Sequence, residues 1–341
     1  MATMKQIAQL AGVSRGTVDR VLNNRGIVNE QTAQKVREIA ESLQYTPSKA
    51  ARSLAALKRN IKLTYIMFDP RVNHFFQQVE DGIRKKAAEL QEYGVTVEIL
   101  YSNFSDPDSQ NKLLDQAVAG GTSGIAIAGF NSEDTAAKLR RISEAGIPVV
   151  TSNTDISDCK RIAFVGSNYF RSGQTAAGLM RLITQGHAKV GVLIGSYNVL
   201  CHTERVEGFI SHIAAHAPGI EVVSIHENSD EDFESFSVTK SLLEQHPDIN
   251  ALFLASGGVY GACRAVEGIP PERRPLILCY DCPQETRGMI EKGVISAAIC
   301  QQPERQGSKP LDILFNYIAM GAKLEKENYY TEINIIIREN L

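Results

Sequence analysis

From Ile61 onward the chain alternates short β-rich segments with segments of helical periodicity. Alternation of this kind implies parallel strands whose crossover helices cover both faces of a sheet. Ten β-rich segments are more than one ordinary doubly wound sheet holds, so the sequence predicts two similar α/β lobes. These segments are IKLTYIMF, VTVEILY, GIAIAGF, IPVVTSN, RIAFVGS, AKVGVLIGS, IEVVSIHE, ALFLAS, PLILCYD and ISAAICQ. Because ligands of such sheets bind beyond the carboxyl ends of the strands, the residues after each segment are the first candidates for a site.

The first 60 residues contain no such segment and are predicted to form short helices. Thr3 followed by Gln6 fits a capping box that opens the first helix. Gly12 begins a short turn, Ser14 is placed to cap a second helix, and Asn29 is placed to cap a third. The predicted core faces are Ile7, Ala8, Leu10 and Ala11, then Val18, Val21 and Leu22, then Val36, Ile39, Ala40 and Leu43. On this pattern alone, a small helical bundle without a ligand is the alternative interpretation.

Charge is distributed unevenly along the chain. Residues 1–60 hold 10 Lys or Arg against 4 Asp or Glu, a net +6, whereas the remainder holds 26 against 35, a net −9. A basic head on an acidic body is typical of a nucleic-acid-binding module joined to a separate domain. The amino terminus has no signal-peptide pattern, no apolar run approaches the ~18 residues of a membrane span, and the cysteines are scattered. We therefore expect a cytoplasmic protein with reduced cysteines and no membrane partner.

The segment Gly12-Val13-Ser14 between two short helices has the spacing of a helix–turn–helix, whose second helix enters the major groove of DNA. Arg15 and Gly16 stand at the start of that helix, where side chains face base edges, and Arg20 lies about one turn later. Arginine is the best bidentate partner of guanine. The polar residues expected to contact phosphates are Thr17, Asn23, Asn24 and Arg25.

The head resembles that of the LacI/GalR family of bacterial transcription regulators. The AGVS-x-x-TV-x-RVLN motif of that family is present within residues 11–23, and the match extends over residues 4–55 almost without gaps. The resemblance implies a helix–turn–helix domain at residues 1–46 and a hinge helix with linker at residues 47–60. In that hinge Leu54, with Ala51 beside it, would wedge into the minor groove and bend the duplex; a solvated linker is the alternative. The predicted DNA-binding residues are Thr3, Ser14, Arg15, Gly16, Thr17, Asp19, Arg20, Asn23, Arg25, Asn29, Ala51 and Leu54.

Asp19 departs from the family pattern, which usually has serine there. A carboxylate that faces phosphate is repelled, but Asp19 lies four residues after Arg15, so the two side chains can pair on one helix face. We expect Asp19 either to hold Arg15 in position for guanine or to accept a hydrogen bond from a cytosine amino group. The alternative is a solvated acid that only lowers non-specific affinity.

The body, residues 61–341, resembles the type I periplasmic sugar-binding fold of the ribose-binding-protein type. By this resemblance the segments NHFF, TERVEGF, LCYDC and AAICQQP supply an amide, aromatic rings, an arginine, a carboxylate and a glutamine. Such a set suits a polyhydroxylated ligand, because rings stack on the apolar faces of a sugar and charged groups form directional hydrogen bonds. The residues assigned in this way are Asn73, Phe75, Phe76, Arg205, Asp281 and Gln301.

Four residues of the body depart from the ribose-binding pattern. Asn153-Thr154 replaces an Asp-Arg pair, Ser256 stands where asparagine is expected, and His74 replaces a proline. Asn153 and Ser256 are therefore expected to line an altered pocket. For Arg205 and Asp281 the alternative is a structural ion pair, and one of the two phenylalanines is expected to belong to the core.

Other chemistry has little support in the sequence. Cys279 and Cys282 form a single CxxC with no second pair at zinc spacing. Histidines 202, 212 and 216 share one helical segment and are expected on a solvated face. No phosphate-binding loop follows a strand. We therefore expect no metal, no cofactor and no catalytic residue.

The predicted fold is α + α/β: a helix–turn–helix head, a hinge helix, and a two-lobed type I periplasmic-binding-protein body of doubly wound parallel sheets. The predicted lobes are about 61–165 with 302–327, and about 166–301 with 328–341. We expect a repressor of carbohydrate or polyol catabolism genes that binds a near-palindromic operator as a homodimer. Its expected effector is a sugar or polyol, phosphorylated or not, and further pairing into tetramers stays open. The alternatives are a solute-binding component of a sugar transport system and an α/β enzyme acting on a sugar.

Overall fold

The computed structural model describes residues 3–22, 27–43, 45, 60–71, 73–103 and 106–341. Its head contains the three predicted helices, each with the predicted cap. Thr3 and Gln6 form the capping box, the Ser14 hydroxyl accepts a hydrogen bond from the Thr17 amide at 3.1 Å, and the Asn29 side chain caps the third helix. These helices are α1 (Met4–Ala11), α2 (Arg15–Leu22) and α3 (Glu30–Ser42).

The head has a small core of its own. Ile7, Val18 and Val36, one from each helix, are fully buried in it. Leu10 was predicted on the core face, but its side chain is 59% exposed. The buried arc of α1 runs through Ile7, Ala11 and Ala8, and at about 100° per residue Leu10 lies beyond its edge. The predicted hinge residues 47–59, with Ala51 and Leu54, and the turn residues Asn23, Asn24 and Arg25 lie outside the described residues.

The body consists of two α/β lobes, and its first ten strands correspond to the ten predicted segments. The strands are β1 (Lys62–Phe68), β2 (Thr96–Ser102), β3 (Gly124–Ile127), β4 (Val149–Ser152), β5 (Ala163–Gly166), β6 (Ala188–Ile194), β7 (Ile220–Glu227), β8 (Ala251–Leu254), β9 (Leu276–Tyr280), β10 (Ala297–Cys300), β11 (Asn328–Tyr330) and β12 (Asn334–Ile336). The helices are α4 (Phe75–Gln91), α5 (Pro107–Ala119), α6 (Glu133–Glu144), α7 (Tyr169–Ile183), α8 (Leu200–His216), α9 (Asp232–Gln245), α10 (Val259–Glu267), α11 (Gln284–Glu291) and α12 (Pro303–Met320). Two short 3₁₀ helices, Pro271–Arg273 and Arg338–Asn340, complete the described elements.

Each lobe is built on one six-stranded sheet. The strand order is β11-β5-β4-β3-β1-β2 in lobe 1 and β12-β10-β9-β8-β6-β7 in lobe 2. All neighbouring strands are parallel except β12, which runs antiparallel to β10. The predicted fold class, a two-lobed periplasmic-binding-protein fold behind a helix–turn–helix head, is confirmed.

The chain crosses between the lobes after β5, after β10 and after β11. The last crossing differs from the prediction, which assigned residues 328–341 to lobe 2. Residues 328–330 form β11, which pairs with β5 in lobe 1. Its three residues carry no long apolar run, so only the pairing across the sheet fixes the lobe to which they belong.

Helices cover both faces of each sheet, which explains the nearly continuous apolar strands. Adjacent residues of β1, Tyr65 and Ile66, are both fully buried, but they belong to the hydrophobic clusters on opposite faces. Helices α4 and α12 pack on the first face of lobe 1, and α5 and α6 on the second. None of the described helices is both long and apolar enough to span a bilayer. This arrangement leaves the carboxyl ends of the strands free to form a site.

Candidate functional site

The carboxyl ends of strands from both sheets border one cleft between the lobes. The cleft encloses about 730 Å³, part of it open to solvent, which is within the usual range of small-ligand sites. Residues that follow β1, β4, β7, β8, β9 and β10 line it. The structure brings all eight predicted ligand residues into this lining: Asn73, Phe75, Phe76, Asn153, Arg205, Ser256, Asp281 and Gln301.

Arg205 is the central cation of the cleft. Its side chain lies on α8, is only 3% exposed, and donates from Nη1 to the Ala255 carbonyl oxygen at 2.8 Å. The guanidinium carbon lies 3.8 Å from the ring centroid of Tyr280 and 4.9 Å from that of Tyr169, so cation–π contacts on two rings fix its position. The Nε donor is buried without a hydrogen-bond partner among the described residues. No ion pair with Asp281 is found in the described part of the chain, which removes the structural-ion-pair alternative.

Asp281 supplies a buried carboxylate directly after β9. Its backbone has a φ of 61°, and its Oδ2 accepts a hydrogen bond from Gln301 Nε2 at 2.7 Å. Its other oxygen, Oδ1, is buried without a partner among the described residues. Burial raises the pKa of this carboxyl to about 6, although the nearby Arg205 and the Gln301 amide act in the opposite direction. The group is therefore mostly ionised at neutral pH and titrates just below it.

A chain of amide side chains joins the two lobes beneath the cleft. Asn153, at the end of β4, donates from Nδ2 to Gln306 Oε1 at 3.1 Å. Gln306 lies on α12 and donates from Nε2 to the Gln301 carbonyl oxygen at 2.8 Å. Gln301 in turn holds Asp281, so a hydrogen-bonded path runs from lobe 1 to the lobe 2 carboxylate. Gln306 was missed at the sequence level, where its only distinguishing feature is an amide within an otherwise apolar helix face.

Asn73, expected to bind a ligand hydroxyl, is engaged within the protein in this structure. Its Nδ2 donates to Asp230 Oδ2 at 2.9 Å across the cleft, and its Oδ1 accepts from the Phe75 amide at 3.0 Å. Asp230 is 2% exposed, and its Oδ1 accepts from the Gly257 amide at 2.9 Å. Sequence reasoning missed Asp230, although it follows β7 closely and the rule of strand ends applies to it.

Asn228 ties two strand ends of lobe 2 together beside Asp230. Its Nδ2 donates to the Gly257 carbonyl oxygen at 3.0 Å, and its Oδ1 accepts from the Asp230 amide at 3.1 Å. Ser256 donates to the same Oδ1 at 3.4 Å. The predicted site residue Ser256 is thus part of the loop that holds Asp230.

Phe75 and Phe76 lie at the start of α4, and both border the cleft while belonging to the lobe 1 core. Their ring centroids are 5.2 Å apart in an edge-to-face arrangement, and Phe76 makes a similar contact with Phe68 at 5.4 Å. Both side chains are buried. One of the two was expected to be simply a core residue; in the structure both belong to the core and both also border the cleft.

His202 is a correction to the expected solvated histidine face. It lies in the first turn of α8, is 4% exposed and lines the cleft. Burial lowers its pKa to about 4, against the raising effect of Asp230. His212 and His216 lie farther along the helix and are not buried, with ring centroids 4.6 Å apart. The difference arises because α8 directs only its first turns into the cleft.

The candidate DNA-binding surface lies on α2 of the head. Arg15, Gly16 and Arg20 are exposed, and the Ser14 and Thr17 hydroxyl oxygens lie 2.9 Å apart at the start of the helix. Asp19 is half-buried. Its charge and that of Arg15 act in opposite directions on the Tyr45 hydroxyl, whose pKa is raised mainly by burial. Both charges therefore lie within electrostatic range of Tyr45.

Comparison with known proteins agrees with both parts of the chain. Residues 3–48 match the family described as bacterial regulatory proteins, lacI family, and residues 64–323 match the periplasmic binding protein domain. The chain is 27% identical over 334 residues to the HTH-type transcriptional repressor PurR of Actinobacillus pleuropneumoniae serotype 5b, a match that covers 96% of this chain and 94% of that protein. It is 30% identical over 213 residues to the sucrose operon repressor of Pediococcus pentosaceus, covering 62% of this chain and 61% of that one. Among solved structures, GanP, a glucose-galactose binding protein from Geobacillus stearothermophilus, is 26% identical with a TM-score of 0.74, over 82% of this chain and 98% of that one.

Proposed function

The chain belongs to the periplasmic binding protein domain family and carries the head of the lacI family of bacterial regulatory proteins, and from this we propose that it is a repressor controlled by a small sugar or polyol. One observation carries the proposal: a helix–turn–helix head and a cleft with an unpartnered arginine donor and carboxylate oxygen occur on one chain. The head supplies operator binding, and the cleft supplies control.

The operator contacts are proposed for α2 and the ends of its neighbours. Arg15 and Arg20 would bind guanine edges in the major groove, with Gly16 allowing close approach of the helix. The capping residues Thr3, Ser14 and Asn29, together with Thr17, would contact phosphates. Two chains paired through their bodies would place two heads on successive half-sites of a near-palindromic operator.

The effector contacts are proposed for the orphaned polar atoms of the cleft. Arg205 Nε needs an acceptor, and Asp281 Oδ1 needs a donor. A hydroxyl group both donates and accepts, so a polyhydroxylated molecule satisfies the two groups together. The rings of Phe75 and Phe76 border the same space and suit the apolar face of a sugar.

The proposed control runs through the relation between the lobes. A ligand that contacts Phe76 of lobe 1 and Arg205 of lobe 2 favours the closed cleft, and the amide path through Gln306 links the same two lobes. A change in lobe relation would alter the hinge segment and so the affinity for operator. The coupling is reciprocal, so operator DNA must change effector affinity by the same factor.

Selection of duplexes from a random DNA library by the full chain tests the operator proposal. We expect Arg15→Ala and Arg20→Ala each to lower affinity for the selected duplex by about 10- to 100-fold, because each removes a bidentate base contact. Arg37→Ala is the matched control, since Arg37 lies on α3 beside Glu30 at 3.5 Å. Equal losses from all three variants would contradict base recognition by α2.

Effector coupling is measured on the same duplex. A panel of pentoses, hexoses and polyols is screened by thermal shift, and the best sugar is then titrated with and without operator. We expect different sugar affinities in the two titrations. Equal affinities would refute the regulatory mechanism and would favour a solute-binding protein.

Asp19 is proposed to influence operator preference. Asp19→Ser is compared with the unaltered chain on a set of single-base variants of the selected duplex. A change confined to one base pair supports a role in base recognition, either directly or through Arg15. An equal gain on every duplex indicates that Asp19 only lowers non-specific affinity.

Binding, rather than catalysis, is the activity we propose for the cleft, and the bacterial cytoplasm is the proposed place of action because operator DNA lies there. Turnover of a bound sugar in a product assay would overturn the first part. The homodimer and any tetramer are proposals that sedimentation of the full chain on its operator would test.

A further inference from the structure

The charged side chains that line the cleft are mostly acidic. Among the lining residues described there are four carboxylates and a single guanidinium, that of Arg205. The carboxylates are those of Asp230, Asp232, Asp281 and Glu285. All five come from lobe 2. The two histidines of the lining do not reverse this balance, because His202 is neutral at physiological pH and His74 Nδ1 lies 3.4 Å from Glu285.

Two backbone amides near the start of α10 are already bonded to carboxylates of the chain itself. The amino end of a helix ordinarily attracts an anion, because its first N–H groups lack partners within the helix. Here the Gly257 amide donates to Asp230 Oδ1 at 2.9 Å, and the Gly261 amide donates to Asp232 Oδ1 at 2.9 Å. A ligand phosphate would therefore have to displace an internal carboxylate to reach these donors.

The surrounding backbone is shaped to accommodate the Asp230 carboxylate. A Cβ atom at Gly195 would overlap Asp230 Oδ1, and a Cβ atom at Gly257 would lie 3.0 Å from Asp230 Cγ. The two glycines thus leave room for this carboxylate. Ser229 and Asp230 have φ values of 53° and 58°, a left-handed conformation that side chains other than glycine adopt at a cost. The backbone accepts that conformation at the point where the carboxylate enters the cleft.

Asp230 also bridges the cleft. Its Oδ2 accepts from Asn73 of lobe 1 at 2.9 Å, so both of its oxygens have partners although the side chain is only 2% exposed. A second anion in the same enclosed space would be desolvated beside Asp230 and Asp281 with one guanidinium for all three. Burying a charge without its own partner is strongly unfavourable.

We propose that Asp230 is a specificity-determining residue that occupies the position of an anionic substituent, so that the effector is a sugar or polyol without phosphate or carboxylate. The inference rests on the proposed function, because it concerns the effector of the same cleft. It separates the two effector classes that the sequence leaves open. The uncharged class uses Arg205 and Asp281 for its hydroxyls and leaves the Asp230 bridge intact.

The first test uses Asp230→Gly and inorganic phosphate, so it needs no knowledge of the effector. Glycine accepts a positive φ without strain, so the variant removes the carboxylate and leaves the Gly257 amide and the Asn73 amide group without it. We expect phosphate to raise the melting temperature of the full-length variant saturably, by a few degrees at constant ionic strength, and to leave the unaltered protein unchanged. Ser229→Gly is the matched control, because it relaxes the neighbouring positive φ and keeps the carboxylate.

A saturable response of the unaltered protein to phosphate, or equal responses of the two glycine variants, would overturn the proposal. The second test covers the case in which Asp230→Gly does not fold. The unaltered protein is screened with sugars and the phosphate esters of the same sugars. For any sugar that binds, we expect the free sugar to bind about 100-fold more tightly than its phosphate ester. Tighter binding of the ester overturns the inference. Operator binding does not involve Asp230, so failure of the proposed repressor would appear in the duplex measurements and not in these.

Discussion

The two lobes contribute different chemistry to the cleft that lies between them. Lobe 1 contributes Asn73, Phe75, Phe76 and Asn153, which are amides and aromatic rings, with His74 at the edge. Lobe 2 contributes every carboxylate of the lining and its single guanidinium. Lobe 1 thus presents an uncharged, partly apolar wall, whereas lobe 2 presents a charged wall, which holds the charged groups together with the rings of Tyr260 and Tyr280.

The charged groups of lobe 2 are held in place by contacts within that lobe. Arg205 lies against two rings and a carbonyl oxygen, and Asp281 is held by Gln301. Each nevertheless keeps one buried polar atom without a partner in the described structure. Lobe 2 therefore carries the desolvation cost of two buried, unpartnered polar atoms, which a ligand can relieve by hydrogen bonding to them. Lobe 1 instead provides the surface against which the ligand packs. Substitutions in the two walls should therefore have different effects.

The largest effect is expected from Arg205→Met. The methionine side chain retains much of the apolar contact but none of the donors, so the best sugar from the screen should bind about 100-fold more weakly, as expected for loss of a buried hydrogen bond to a charged group. The melting temperature of the ligand-free variant should fall only modestly, because relief of a buried guanidinium with an unpartnered Nε offsets part of the loss of the Ala255 hydrogen bond and the cation–π contacts. Isothermal titration and thermal unfolding measure the two quantities.

Arg264→Met is the control for Arg205→Met. Arg264 lies on α10 in the same lobe, is 53% exposed and pairs with Glu267, and such surface pairs contribute little. We expect its sugar affinity to be unchanged. A loss of stability without a loss of affinity in Arg205→Met would show that the arginine is only structural, and the charged wall would lose its proposed role.

A smaller effect, dependent on pH, is expected from Asp281. Hydroxyl donors favour the ionised carboxylate, so sugar affinity should fall as the pH drops below about 6, where the Asp281 carboxyl takes up a proton at its raised pKa. The limit is about tenfold per pH unit for one proton. Asp281→Asn should bind more weakly at pH 7.5 and show no such slope, and a slope that survives in this variant would assign it to another group. His202 does not interfere above pH 5, because burial lowers its pKa to about 4.

The same pKa shift acts on the ligand-free fold with the opposite sign. Because burial raises the Asp281 pKa from 3.8 to about 6, the stabilisation by the protonated form is fully present below pH 3.8 and is lost as the pH rises through 6. His202 contributes in the reverse direction, since its lowered pKa makes protonation favour unfolding below its ordinary value of 6.5. The two contributions overlap, so sugar affinity is the cleaner measurement.

Most of the fold could be predicted from local patterns. Ten strands follow from ten β-rich segments, and the head follows from three caps, because caps and helix faces depend on residues within a few positions of one another. Strands β11 and β12 were missed. Each has three residues and is held by pairing with β5 or β10 from distant parts of the chain, so no local signal exists for either.

The site could be predicted only in part, and for a related reason. The resemblance placed eight residues that do line one cleft, because each belongs to a short motif. Asp230, His202 and Gln306 were not predicted as parts of the site, since their importance depends on partners from other lobes or strands. Asp230 lies in a polar segment that looks like a solvated turn, and only its contacts with Asn73 and Gly257 make it part of the site.

The smallest effect is expected in the uncharged wall, from Phe76→Leu. Loss of one stacking ring should weaken sugar binding about fivefold, or about 1 kcal/mol, without changing the pH dependence that Asp281 imposes. Phe130→Leu is the control, because Phe130 packs on Phe68 in the same core at 5.0 Å but does not border the cleft. Both variants should lower the melting temperature of the ligand-free protein, and only Phe76→Leu should lower sugar affinity. Equal sugar affinities in the two variants would mean that the Phe76 ring does not stack on the sugar. Lobe 1 would then contribute to binding only by closing over the ligand.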